Sequence, residues 1–316
     1  MGKHQNNVGV EMGKILIIGC GYLGSHLANY YRRNGWDVKI AGRSSIYVSH
    51  LDPEIEFFEI DITDSDQLHC IIEQDDLVLC ATGSINATNG FDDVTRDISE
   101  YYISFVNLLN ECANKRISKF VFLSSAGTVY GDVTTPARET DSLNPLNIYG
   151  LQKVYFENLI KIKQSESNRL PYIILRVSNP YGGFQNPCKN QGIIPVLINR
   201  AILREQFVFW GDVNSTRDFI YIDDFLKATY LSTIMQTNEV INIASGVGTT
   251  IKDVIEIVQE KVGCDIRIVY KTSNNKILMH NRVDISKLKR VTEYSPSTTI
   301  EKGISMMVQS IVSAME

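Results

Sequence analysis

The sequence predicts an α/β protein: a doubly wound parallel sheet followed by a smaller α/β lobe. Three observations carry this reading. Short runs of Val, Ile and Leu alternate with helical stretches over the first 180 residues, as in strands covered on both faces by crossover helices. The first of these runs passes directly into Gly19-Cys20-Gly21-Tyr22-Leu23-Gly24, which opens a helix. Residues 181–316 are less regular and begin in a loop rich in Pro and Gly over 180–192. A chain of 316 residues is long enough for about two domains at roughly 100–200 residues each.

Residues 14–18 read as a buried strand and 22–34 as a helix ended by Gly35. Residues 38–41 and 55–60 supply the second and third strands. A helix over 64–73 has Asp64 as its candidate N-cap. The fourth strand is 77–81. The long helix over 95–115 places Ile98, Tyr102, Phe105, Leu109 and Cys112 on one face. Residues 120–124 form the fifth strand, 149–164 a helix and 172–177 the sixth strand. Further on, 194–203 reads as a helix, 207–210 as a short strand, 254–262 as an amphipathic helix closed by Gly263, and 265–270 as a strand. Tyr221-Ile222-Asp223-Asp224 reads as a strand passing into an N-capped helix. The expected division is a flexible leader over 1–12, a first domain over 13–180 with a return segment at about 218–245, and a second lobe over 181–316.

Composition narrows the function classes. With 44% hydrophobic and 21% charged residues the chain can bury a core, which excludes wholesale disorder. A net charge of −5 argues against nucleic acid or an anionic membrane as partner. No apolar run approaches the length of a transmembrane helix. The leader is polar and lacks the apolar core of a signal peptide. Cys20, Cys70, Cys80, Cys112, Cys188 and Cys264 are scattered, with no C-x-x-C pair and no His at ligand spacing. They read as reduced thiols of a cytoplasmic protein without a metal site.

Gly19 to Gly24 form a G-x-G-x-x-G in the context that gives this motif meaning, between a strand and a helix. Gly19, Gly21 and Gly24 permit a tight turn, close approach of a pyrophosphate and close helix–strand packing. Tyr22 and Leu23 begin the helix whose N-terminus faces the phosphates. The chain therefore reads as binding a dinucleotide in a Rossmann-type domain. At the end of the second strand, Ala41-Gly42-Arg43-Ser44-Ser45 carries no Asp or Glu for a ribose 2′-hydroxyl. Arg43 instead suits a 2′-phosphate, which favours NADP over NAD. Asp61 and Ile62, after the third strand, are placed to flank the adenine.

Tyr149-Gly150-Leu151-Gln152-Lys153 is a Y-x-x-x-K whose i, i+4 spacing puts both side chains on one helix face. Tyrosine, with its reference pKa of about 10, is a poor base at neutral pH. A nearby lysine ammonium favours the phenolate, which can then exchange a proton with a sugar hydroxyl as hydride moves.

The cradle, SSAGTVYG (124–131), YGLQK (149–153), LRVSNPYG (175–182) and RDFIYIDD (217–224) stand in the order of the extended short-chain dehydrogenases/reductases. Over about residues 14–310 the chain resembles their NAD(P)-dependent epimerase/dehydratase branch, which acts on nucleotide-diphosphate sugars. The resemblance implies a Ser/Thr, Tyr and Lys triad and a C-terminal lobe that closes on the sugar nucleotide. Tyr149 and Lys153 carry over directly. Counted forward from the strand, the hydroxyl is Ser125; counted back from Val129-Tyr130-Gly131, that position is Ala126, which has none. Ser125 is preferred and Thr128 is the second candidate, with Ser124 capping the strand end near the cofactor.

The resemblance further implies that Ala81 lies under the nicotinamide in Cys80-Ala81-Thr82-Gly83. It implies that Asn179 contacts the phosphate or sugar, that Arg217 grips the pyrophosphate, that Phe209 lies near the base and that Arg282 reaches the diphosphate. A homodimer is expected through the helices at 95–115 and 149–164, with Phe156, Leu159 and Ile160 as apolar candidates. The expected activity is nucleotide-sugar epimerisation, most simply at C4. The alternative is an NADPH-dependent 4-keto-6-deoxy sugar nucleotide reductase, which Arg43 favours. Dehydratase chemistry is disfavoured because Ala126-Gly127 replaces the acidic pair that subtype needs. An intact Tyr149/Lys153 pair argues against a non-catalytic regulator.

Overall fold

The computed structural model describes residues 13–43, 46–82, 101–166, 169–185, 192–235, 238–271 and 278–313. The leader, Ser44, Ser45, Gly83, residues 95–100 and Cys188 lie outside the described residues. The chain order begins β1 (Lys14–Ile18), α1 (Tyr22–Arg33), β2 (Asp37–Gly42), β3 (Glu56–Glu59), α2 (Ser65–Ile71), β4 (Leu77–Cys80), α3 (Ile103–Asn114) and β5 (Lys119–Ser125). It continues with the short helix α4 (Ala126–Val129), then α5 (Ile148–Ser165), β6 (Tyr172–Val177), β7 (Asn179–Tyr181) and α6 (Ile193–Leu203). The remainder is β8 (Phe207–Trp210), β9 (Thr216–Tyr221), α7 (Ile222–Thr233), β10 (Glu239–Ile243), β11 (Gly248–Thr250), α8 (Ile251–Val262), β12 (Ile268–Lys271), α9 (Ser286–Thr292) and α10 (Ile300–Ser313).

Seven parallel strands form the main sheet in the order β3-β2-β1-β4-β5-β6-β10. Successive side chains of a strand point to opposite faces. Accordingly Ile15 and Ile17 enter one core cluster while Leu16 and Ile18 enter the other. The strand order reverses between β1 and β4, the switch point where such sheets gather ligands at their carboxyl ends. Asp64 caps α2 by accepting from the N–H groups of Asp66 and Gln67. Thr250 and Asp253 form a capping box on α8, and Gly263 closes that helix in the left-handed conformation.

Three strands, β7, β10 and β11, have no counterpart in the sequence reading. β10 joins the edge of the main sheet although its run carries Glu239 and Asn242; Asn242 is fully buried because hydrogen bonds satisfy it. β7 falls in the expected loop and pairs with β9 in a three-stranded sheet, β11-β9-β7. β8 and β12 pair separately.

The expected dimer contacts need a correction. Phe156 and Ile160 pack inward, Phe156 stacked on Phe105 with ring centroids 3.9 Å apart, and Leu159 is half-buried against the same core. The exposed large apolar side chains of α3 and α5 are Ile103, Val106, Leu151, Tyr155 and Ile162.

Candidate active site

The glycine cradle is tight at Gly19 and Gly24 and open at Gly21. Gly19 has φ +116°, and its N–H donates to Ala41 O at 2.7 Å, while Ala81 N–H donates to Ile18 O at 2.8 Å. The turn is thus held between the ends of β2 and β4. A Cβ on Gly24 would lie 1.9 Å from Gly19 O, whereas one on Gly21 would meet nothing within 4 Å. The close packing is therefore at Gly24, and the open approach is at Gly21. The first turn of α1 carries no acid and no side-chain cap, so its N–H groups and dipole suit a pyrophosphate. These residues fit a dinucleotide. Tyr22 contributes there only through its main chain, since its hydroxyl donates to Gly182 O at 2.9 Å and burial raises its pKa well above the usual value. Leu23 is half-buried against the larger core cluster.

At the ribose end Arg43 is exposed, with one terminal nitrogen 3.5 Å from the Tyr101 hydroxyl. The Asp61 carboxylate accepts from Thr63 N–H at 2.9 Å. That bond, with a smaller pull from Arg43, holds its carboxyl below the usual range. Ile62 packs against the second core cluster.

Ser125 ends β5 and Tyr149 lies in the first turn of α5, whose N-cap Asn147 accepts from Gly150 N–H. Lys153 is 3% exposed. Its ammonium donates to Leu123 O at 2.9 Å and Thr82 O at 3.3 Å, and lies 5.6 Å from the Tyr149 ring centroid. It also lies 4.7 Å from the Phe122 ring centroid, and it forms no salt bridge among the described residues, so no acid there cancels its charge. Ser125 precedes α4 without a side-chain cap bond, and its Oγ has no hydrogen bond among the described residues. The Thr128 hydroxyl turns back to Ser125 O at 3.5 Å. A Cβ on Gly127 would meet both Ser125 Oγ and Asn179 Oδ1 at 3.6 Å, which puts the Asn179 amide beside the serine. Its Nδ2 donates to Asp218 O at 2.8 Å.

Asn179, Phe209 and Arg217 line one cavity of about 250 Å³ together with Trp210 and Phe219. Arg217 does not pair with Asp218; it donates to Thr216 O at 2.7 Å, and burial lowers its pKa against the pull of Asp132. Arg282 lines a second cavity of about 400 Å³ with Thr216 and His280.

Ser124 does not cap the strand near the cofactor. It is buried and donates to Glu157 Oε1 at 2.6 Å. The sequence reading also missed two residues. Glu157 lies four residues beyond Lys153, a spacing that pointed to it. Asn281 is 1% exposed, donates to Ala126 O at 3.0 Å, and keeps its Oδ1 unpaired beside the catalytic turn; no motif marks it. Among the described residues there is no His, Cys, Asp and Glu group able to hold a metal, and no helix long and apolar enough to cross a membrane.

The family model described as NAD dependent epimerase/dehydratase matches residues 15–244. A putative UDP-glucose 4-epimerase of Methanocaldococcus jannaschii is 31% identical over 92% of this chain and 95% of its own. A dTDP-4-dehydro-6-deoxyglucose reductase of Escherichia coli is 32% identical over 69% of each chain. Among solved structures, the UDP-glucose 4-epimerase of Thermotoga maritima with UDP-glucose superposes with a TM-score of 0.89 at 27% identity, covering 96% of this chain and 100% of the other.

Proposed function

The chain belongs to the NAD dependent epimerase/dehydratase family, and on that premise we propose that it epimerises a UDP-sugar at C4. The observation that carries this reading is the buried Lys153 ammonium, hydrogen-bonded to two carbonyls and set beside Tyr149, with the Ser125 hydroxyl, uncommitted among the described residues, at the adjoining strand end. When bound, the nicotinamide cofactor supplies a hydride acceptor and donor. Gly19, Gly21 and Gly24, with the N–H groups of Tyr22 and Leu23, hold its pyrophosphate. Asp61 and Ile62 would hold the adenine end, and Ala81 would line the nicotinamide end. Lys153 sets a buried positive charge beside Tyr149. Tyr149 takes the proton of the C4 hydroxyl as C4 is oxidised and returns it as the ketone is reduced. Ser125 orients that oxygen, with Thr128 and Asn179 completing the sugar site. Arg217 and Arg282 hold the diphosphate, and Phe209 meets the base.

Residues 13–180 with the return through α7 and β10 serve the cofactor, and the rest of 181–316 serves the sugar nucleotide. We read the cofactor as NADP, because Arg43 is exposed and no acid stands at the end of β2. The second reading, a 4-keto-6-deoxy sugar nucleotide reductase, is favoured by the same arginine and by the reductase relative at 32% identity.

Purified protein incubated with UDP-glucose should form UDP-galactose without added cofactor and without net NADPH consumption. Stoichiometric NADPH loss on a dTDP-4-keto-6-deoxy sugar, with no epimerisation, would establish the reductase instead. Tyr149→Phe should lower kcat by at least about 10²-fold in either case, the lower end of the usual general acid–base contribution; a fully active variant sinks the triad. Arg43→Ala should weaken NADP about tenfold and leave NAD nearly unchanged, as expected for one lost charge-assisted contact to phosphate. Equal effects on both cofactors would remove the case for NADP.

A further inference from the structure

We propose that Asp218 is a positioning residue of the sugar-nucleotide site, acting on Arg282 through the turn at 245–248. The proposal rests on the reading of Arg282 as a diphosphate ligand. Asp218 follows Arg217 on β9 and is 0% exposed. It forms no salt bridge among the described residues. Its carboxylate instead accepts from the N–H and the hydroxyl of Ser245, both at 2.8 Å, and from Gly246 N–H at 3.0 Å. A buried carboxylate without a cation is unfavourable unless its lone pairs are met by fixed donors. Here Ser245 and Gly246 of one turn supply donors, and the main-chain N–H of Val283, next to Arg282, supplies another, so the charge fixes the shape of that turn and its place beside Arg282.

The turn is the seat of Arg282. Gly246 O accepts from Arg282 Nε at 3.1 Å. Gly248, paired with Asp218 across β9 and β11, lies under the methylenes of Arg282, 3.6–3.8 Å from where its own Cβ would stand. The two terminal nitrogens of Arg282 make no hydrogen bond among the described residues, which leaves the planar end of the guanidinium for an anion. Asp218 thus grips one end of the turn and Arg282 rests on the other. The carbonyl of Asp218 also receives the Asn179 amide, so one residue joins the turn to the amide beside Ser125. Ser245 adds a local lock, since its hydroxyl accepts from Val247 N–H at 3.1 Å.

The test is calorimetric titration of UDP into the cofactor-loaded protein, with Asp218→Asn and Ser245→Ala each made in the wild-type and Arg282→Ala backgrounds. Asp218→Asn should raise the Kd for UDP about tenfold and Ser245→Ala about threefold, with no further loss once Arg282 is alanine, the signature of residues acting as one unit. Ser245→Ala keeps the proposal testable if Asp218→Asn does not fold. If Arg282→Ala weakens UDP binding while the Asp218 and Ser245 changes either do nothing or cost as much without Arg282, this proposal is overturned alone. If Arg282→Ala leaves UDP binding unchanged, the diphosphate reading of Arg282 falls and takes the proposal with it.

Discussion

Glu157 stands one turn beyond Lys153 on α5, and its buried carboxylate ties together the elements that carry the reactive groups. It accepts from Ser124 Oγ at 2.6 Å and from Arg176 Nε and Nη2 at 3.0 and 2.7 Å. Arg176 reaches on to the Tyr130 hydroxyl at 2.9 Å, which donates to Asn242 Oδ1 at 2.6 Å. The end of β5, helix α5, β6 and β10 are thereby held in one network beneath Ser125, Tyr149 and Lys153. Glu157→Ala should cost about 3–5 kcal/mol in urea unfolding, because it leaves the Arg176 charge buried and unpaired. Ser124→Ala keeps the ion pair and should cost about 1.5–3 kcal/mol, the range for a hydrogen bond to a charged group. Equal stability of all three proteins would refute the network. At this scale the sequence was partly legible. Tyr149 and Lys153 followed from spacing. Ser124 was misplaced because adjacent strand residues face opposite sides of the sheet, and two consecutive serines do not say which side is buried.

Helix α1 shows what an element encodes and what it leaves to its neighbours. Its start was legible because three glycines at fixed offsets allow only a tight approach. Gly24→Ala would push a methyl group into Gly19 O, so the variant should purify without bound nicotinamide cofactor and with a lowered Tm, read by absorbance of the extracted cofactor and by thermal unfolding. Retained cofactor at wild-type stability would contradict the packing. β10 was illegible because its buried Asn242 is satisfied by a network drawn from distant segments. The partners of His26 on α1 were hidden in the same way. Its ring stacks on Phe184 at 3.5 Å, and Phe184 stacks on His50 at 4.4 Å. This straps the segment after β7 to the cofactor helix.

Burial, aided by Arg33, lowers the His26 pKa to about 3. The folded protein therefore keeps this ring neutral, while the unfolded chain takes up its proton near pH 6.5. The stabilising contribution is full above pH 6.5 and is lost as the pH falls toward 3, by at most about 1.4 kcal/mol per unit. Asp218, raised by burial to about 6, has the opposite sign below that pH, so the wild-type curve alone does not separate them. The difference in unfolding free energy between wild type and His26→Phe does: it should be about 2 kcal/mol larger at pH 7 than at pH 5. A difference independent of pH would mean that His26 titrates normally in the fold.

For the whole molecule, the net charge of −5 means that polyanionic ligands must be drawn by placed groups rather than by the overall field. The cradle, Arg43, Arg217 and Arg282 are the groups proposed for that task. Helices α3 and α5 carry instead the exposed apolar side chains of Ile103, Val106, Leu151, Tyr155 and Ile162. On α5, residues 151, 155 and 162 recur at helical spacing on one face, and Tyr155 also packs on Tyr102 with ring centroids 4.9 Å apart. Exposed apolar side chains on two adjacent helices suit the self-complementary surface of a two-fold dimer. We propose that the expected homodimer uses these exposed side chains rather than Phe156 and Ile160, since periodicity alone does not distinguish an inner from an outer apolar stripe. Light scattering on a gel-filtration peak should give twice 35.6 kDa for the wild type and 35.6 kDa for Leu151→Asp/Ile162→Asp. The double variant should keep its helical circular dichroism, because both substituted positions are already exposed. A wild type of 35.6 kDa, or a double variant still dimeric, would show that this face is not where two copies meet.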